Sequence, residues 1–303
     1  MSRRFQDILY WPVYALFAVL SWMPMWLLYR LSDFLYCVIY YIVGYRRDVV
    51  RDNIEKAFPE KSVDEQRKIE KKFYHYFADY MVETIKLLHI SEEEIRRRMQ
   101  FVNTELVDSY TQQGRSVILL MGHYCNWEWT TSFPLWMHLN DKIVPRCIYS
   151  PLHNEWFDRL FLRLRSRFGL GGIPMQRTLR ELLRYSQEGK TSITVFLSDQ
   201  SPDWRSIHHH STFLGRETAV ITGYETIARK MDMVLIYTDI EVVKRGYYKA
   251  TYRLIEDDPA SRPQFEVVDK YIEALEQTIR RTPHAWLWSH RRWKYTPSPK
   301  KEV

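Results

Sequence analysis

Only three cysteines occur, Cys37, Cys125 and Cys147. An odd number without framework spacing excludes a secreted disulfide scaffold and points to reduced thiols in a cytosolic compartment. A linker is missing as well. Gly and Pro are scattered, and no low-complexity tract or fixed-period repeat interrupts the 303 residues, which read as one compact body behind an N-terminal segment. Neither zinc-ligand spacing nor an aromatic RNA-binding strand is found, which removes nucleic acid from the partners.

Charge is absent from Ile8 to Tyr29, and a helix of that length reaches roughly 33 Å, enough to cross a hydrocarbon core of about 30 Å. No small-residue cleavage site follows, so the run is not read as a removable signal peptide. Phe34 to Tyr45 is a second apolar stretch, too short to span alone. Residues 1–45 are therefore expected to anchor the chain, as a membrane span or hairpin or as a helix lying in one leaflet, and residues 46–303 to form the working domain. Arg3 and Arg4 precede the run while Arg30, Arg46, Arg47 and Arg51 follow it, so both flanks favour the cytoplasm.

A net charge of +7 draws the molecule toward anionic partners, and 15% aromatic residues tilt that choice toward a headgroup layer. Residues 46–59 read as a basic amphipathic helix stopped by Pro59, and Ser62 with Glu65 forms a capping box for a helix over 62–97. Strand-like runs follow at Ser116–Gly122, Lys142–Tyr149, Ser192–Leu197 and Met233–Thr238, with a further one at 248–256. Helical stretches at Glu155–Phe168, Thr178–Glu188 and 265–281 alternate with them. The order predicts an α/β fold with a mainly parallel central sheet flanked by helices.

Chemistry is concentrated in GHYCNWEW, Gly122 to Trp129, where a buried strand gives way to a helix capped by Asn126. His123 is a candidate general base and Glu128 the acid that orients it; in an unbroken helix the two would lie about 140° apart, so a bend at Gly122 and Asn126 is required. A satisfied structural histidine is the competing reading. No Ser nucleophile is needed when an acceptor hydroxyl itself attacks a thioester. Two alternatives use other residues: metal binding by the run His208, His209 and His210, and a thioester on Cys125.

HYCNWE resembles the His-x4-Asp/Glu box of the glycerolipid acyltransferase superfamily, and the chain from about residue 8 to 296 is similar to its lipid A lauroyl/myristoyl transferase branch. The supporting segments are RRDVVRDNIEKAFPE at 46–60, HNEWFDRLFLRLRSRFG at 153–169, LSDQ at 197–200, FLGRETA at 213–219 and WLWSHRRWK at 286–294. Tyr124, Trp127 and Trp129 depart from the usual filling of the box, which leaves the acceptor open.

The resemblance implies an O-acyltransferase that needs no metal or other cofactor, fed by acyl carrier protein or acyl-CoA. The acceptor is a glycolipid or phospholipid, with a lipid A precursor first and lysophospholipid or aminolipid second. It implies an acyl tunnel beside His123 and Glu128, and a place at the inner membrane with the catalytic domain on the cytoplasmic face. Arg165, Arg167, Asp199, Gln200, Asn126, Gly215 and Thr218 become candidate substrate contacts. Arg46, Arg47, Arg291 and Arg292 become candidates for head groups, with Trp286, Trp288 and Trp293 as interfacial anchors or packing residues. A non-catalytic lipid-binding protein on the membrane surface is the reading from another class.

Overall fold

A computed structural model describes residues 3–295, with side chains from Tyr10 onward. The side chains of Arg3 and Arg4 lie outside the described residues. In chain order the helices are α1 (Arg3–Trp22), α2 (Met25–Cys37), α3 (Arg47–Ala57), α4 (Val63–Lys86), α5 (Glu92–Arg98), α6 (Thr104–Gln112), α7 (Glu155–Arg165), α8 (Thr178–Gln187), α9 (Gly223–Met231) and α10 (Glu266–Arg281). The strands are β1 (Met99–Val102), β2 (Val117–Met121), β3 (Ile143–Tyr149), β4 (Gly171–Pro174), β5 (Thr191–Leu197), β6 (His210–Phe213), β7 (Arg216–Ala219), β8 (Val234–Lys244) and β9 (Tyr247–Glu256).

Seven strands form one sheet in the order β1-β9-β8-β2-β5-β3-β4, and only the β8–β9 hairpin pairs antiparallel. β2 is central because all five of its residues are apolar and buried, which suits a strand covered on both faces. Its register with β5, Met121 opposite Leu197, brings the carboxyl ends of both strands side by side. In a parallel sheet that end is the place for a site.

The uncharged run Ile8–Tyr29 is divided between two helices. α1 stops before Pro24, whose ring cannot continue a helix, and α2 begins after it. Among the described residues, Met25–Val43 is long and apolar enough to span, joining α2 to the π-helical turn Val38–Val43. Both helices are fastened to α4. Ser32 donates to Asp79 at 2.6 Å, and the Lys86 ammonium donates to the carbonyls of Ser21 and Met23 at the carboxyl end of α1, where the helix dipole favours a cation. Their outer side carries exposed Trp11, Trp22, Trp26, Phe34, Ile42 and Val43.

The capping box of Ser62 and Glu65 forms as its spacing predicts. The expected helix over 62–97 is divided into α4 and α5, and Ser91 accepts a hydrogen bond from the Glu94 amide to start the second part. The strands β1, β4, β6 and β7 and the helices α6 and α9 fall outside the sequence expectations because each is short, with four residues per strand and nine per helix.

Candidate active site

Two residues beyond Met121 stands His123, and two beyond Leu197 stands Asp199; the shared register sets them side by side. The His123 Nδ1 lies 2.7 Å from Asp199 Oδ1, and the His123 amide donates to Asp199 Oδ2 at 2.9 Å. Trp286 Nε1 donates to that same Oδ2 at 2.8 Å. Gly122 makes the approach possible, since a Cβ there would stand 2.8 Å from Leu275 Cδ1 and 3.3 Å from the Asp199 carboxylate. Burial by itself would raise the Asp199 carboxyl, but the charge and hydrogen bonds of His123 and the Trp286 donor outweigh it and hold it down to about 2.

An ionised carboxylate only accepts hydrogen bonds, so the proton of neutral His123 belongs on Nδ1 and the lone pair on Nε2. That Nε2 points toward Gln200, whose Nε2 lies 3.4 Å away. The imidazole keeps 20% of its side-chain surface open and meets the edge of Trp127, which stacks on Tyr80. His123 is thus oriented through one nitrogen, faces Gln200 with the other and keeps part of its ring open, an arrangement suited to a general base.

Glu128 does not supply the orienting acid expected of it. Its carboxylate, 3% exposed, is engaged by both forks of Arg165, with Nε at 2.9 Å and Nη2 at 2.6 Å. The reason lies in the turn. Asn126 Oδ1 accepts from the Trp129 amide and starts a 3-10 helix, Trp129–Trp136, two residues later than the expected helix start. Arg165, in the last turn of α7, is held firmly protonated by this partner although burial opposes it.

The remaining candidates divide. Gln200 and Arg165 border the histidine and the acid of the box. Arg167 is exposed and donates to the Leu87 carbonyl at 2.7 Å. Asn126 is fully buried with both ends of its amide used inside the protein, so it builds the turn and is not open to a substrate. Leu214 and Gly215 have φ of 51° and 73° and close the β6–β7 hairpin, so Gly215 is a turn residue. Thr218 is buried and accepts from Trp293 Nε1 at 2.8 Å.

Among the proposed head-group arginines, Arg46 and Arg291 are exposed, with Arg46 also reaching the Ser289 carbonyl at 3.0 Å. Arg47 lies over the Tyr40 ring and close to Glu70. Arg292 is 2% exposed and donates to the Ala219 carbonyl, so it packs the interior and does not face head groups. Trp286 and Trp288 are buried as well, which makes them packing residues and not interfacial anchors.

What the sequence reading missed is how residues 285–290 complete the site. The Cys125 amide donates to the Ala285 carbonyl at 2.9 Å, and the Leu287 amide to the His123 carbonyl at 3.0 Å. His290 Nε2 accepts from the Ser201 amide, consistent with burial pushing that imidazole down to about 4 and keeping it neutral. The crowding of Trp and His in this segment was the available signal. Cys125 itself is fully buried, and burial pushes its thiol far above the ordinary range, which argues against a thioester there. His209 of the histidine run pairs with Asp269, and among the described residues no three metal-ligating side chains converge. A cavity of about 300 Å³ lies elsewhere, between α4 and the β8–β9 hairpin, and includes none of these residues.

The model of the bacterial lipid A biosynthesis acyltransferases matches residues 2–295. The chain belongs to that family. It is therefore an acyltransferase. The chain is 22% identical over 262 residues to a lipid A biosynthesis palmitoleoyltransferase of Escherichia coli (strain K12), covering 83% of this chain and 80% of the relative. A lipid A biosynthesis acyltransferase of Shigella flexneri aligns to the same extent. Similarity to the lipid A biosynthesis lauroyltransferase of Escherichia coli (strain K12) extends over 296 residues at 23% identity and covers 92% of both chains. Membership of an enzyme family sets aside the reading as a non-catalytic lipid-binding protein.

Proposed function

We propose that this acyltransferase moves a fatty acyl group from the thioester of acyl carrier protein or coenzyme A to a hydroxyl of a lipid A precursor. His123 Nε2 takes the proton of the acceptor hydroxyl as its oxygen attacks the thioester carbonyl. Asp199 keeps the imidazole in the required tautomer and stabilises the imidazolium that forms. The tetrahedral intermediate collapses by breaking the carbon–sulfur bond, and the departing thiolate recovers the proton from His123.

Arg165 is the cation held by the acid of the box. Glu128 occupies its Nε and Nη2, leaving Nη1 for a developing oxyanion or an acceptor phosphate. Glu128 thus serves the reaction by fixing an arginine. The apolar outer side of α1 and α2 and the flanking Arg30, Arg46, Arg47 and Arg51 suit residues 1–45 as an anchor at the inner membrane, with residues 46–303 on its cytoplasmic face.

The observation that carries this reading is the 2.7 Å contact of His123 with a buried, ionised Asp199 while the imidazole stays partly open. The test is mass spectrometry of lipids from cells carrying wild type, no gene, or His123→Ala. Loss of one secondary acyl chain from lipid A in both deficient strains is expected. Unchanged lipid A with altered phospho- or aminolipids would redirect the acceptor, and full transfer by His123→Ala would sink the mechanism.

A further inference from the structure

Outside the groups assigned above, one buried ionisable side chain faces the catalytic turn from behind. Glu83, on α4, is fully buried. Its Oε2 accepts from Asn126 Nδ2 at 2.7 Å and from the Tyr248 hydroxyl at 2.8 Å, and its Oε1 from the Tyr29 hydroxyl at 2.8 Å. Its main-chain carbonyl accepts from Trp129 Nε1 at 2.9 Å. These donors come from α2, β9 and the turn that carries Glu128, and the three that meet the carboxylate are all neutral. Burial, with Asp79 adding to it, pushes the Glu83 carboxyl up to about 7 against the pull of its hydrogen bonds. So costly a group is not needed to fill space.

Its value lies in a property amides lack. In its ionised form, which its three donors favour, Glu83 has no hydrogen to give, so Asn126 must present its amide nitrogen to it and thereby its Oδ1 to the Trp129 amide. That second bond starts the 3-10 turn which delivers Glu128 to Arg165. We infer that Glu83 is a positioning residue for the transfer reaction, which selects one of the two orientations of the Asn126 amide and so holds the Glu128–Arg165 pair of the box in place. The inference rests on the proposed reading of that site.

With Gln at position 83 both faces of the contact become amides, and the Asn126 amide is free to turn end for end. The reversed state would set Nδ2 against the Trp129 N–H, donor against donor, and open the turn. Exchanging the two groups restores the pattern: in Glu83→Gln with Asn126→Asp, Gln donates to Asp, and Asp still accepts from Trp129.

The experiment measures thiol release in detergent micelles containing a lipid A precursor, with lauroyl-acyl carrier protein and lauroyl-coenzyme A as donors. Glu83→Gln is expected to lower kcat by about tenfold or more, with KM within about twofold. The double exchange should bring kcat back to within about threefold of wild type, a rescue that general destabilisation would not produce. Wild-type kcat in folded Glu83→Gln, or a double exchange that is inactive or does not accumulate, overturns the inference. His123→Ala in the same assay separates the two readings, because activity kept by that variant defeats the base itself, whereas its loss beside an unaffected Glu83→Gln defeats only the role of Glu83.

Discussion

Asp199 is the residue on which the site turns, because it receives three donors while nearly excluded from water. Asp199→Asn keeps the shape but offers a donor where His123 needs an acceptor, so transfer should fall by about 10³ to 10⁴ in kcat, measured at saturating donor. Its acid response follows from its depressed carboxyl. The folded carboxyl is held at about 2 against an ordinary value near 3.8, so its stabilisation is fully present above pH 4 and is lost as pH falls through 2. Melting temperatures from pH 5 to 2 should decline more steeply for wild type than for Asp199→Asn, by an amount worth about 2 kcal/mol at the lower end. Parallel curves would show that the histidine contact does not stabilise the charged acid.

α7 shows how one element serves both stability and chemistry. Asn154 caps its start and donates to the Tyr10 hydroxyl of α1, while its last turn delivers Arg165 to Glu128. Arg165→Ala strands a buried carboxylate and should cost about 3 kcal/mol in urea unfolding. Arg165→Met with Glu128→Gln should recover most of that stability but not transfer; recovery of both would reduce the pair to a packing role. Where pattern spoke, the elements were legible. β2 declared itself by five consecutive apolar residues, and the helix α4 by its capping box. His123 was legible from its place after that strand. Its partner was not, because Glu128 is near in sequence whereas Asp199 is 76 residues away and adjacent only through the β2–β5 register. Trp286 and Arg292 misled for a related reason, since an aromatic and basic segment reads the same whether it meets head groups or fills the interior.

At the scale of the whole molecule, α1 and α2 leave an apolar outer side. Trp11, Trp22 and Trp26 are each about two-thirds exposed on α1 and α2, an unfavourable surface in water and a favourable one in a headgroup layer. Changing all three to Ser should lower cosedimentation with anionic phospholipid vesicles by about tenfold or more while the melting temperature stays within a few degrees, since these rings lend little to the interior. Unaltered cosedimentation would remove these rings from the anchoring surface.

Because residues 285–287 lie against Tyr124 and Cys125, the turn that follows β2 closes only once this distant segment has folded back onto it. A pairing so remote along the chain carries a large loop-closure cost, so any change that loosens residues 285–287 should disturb the proposed base before it disturbs the sheet beneath it.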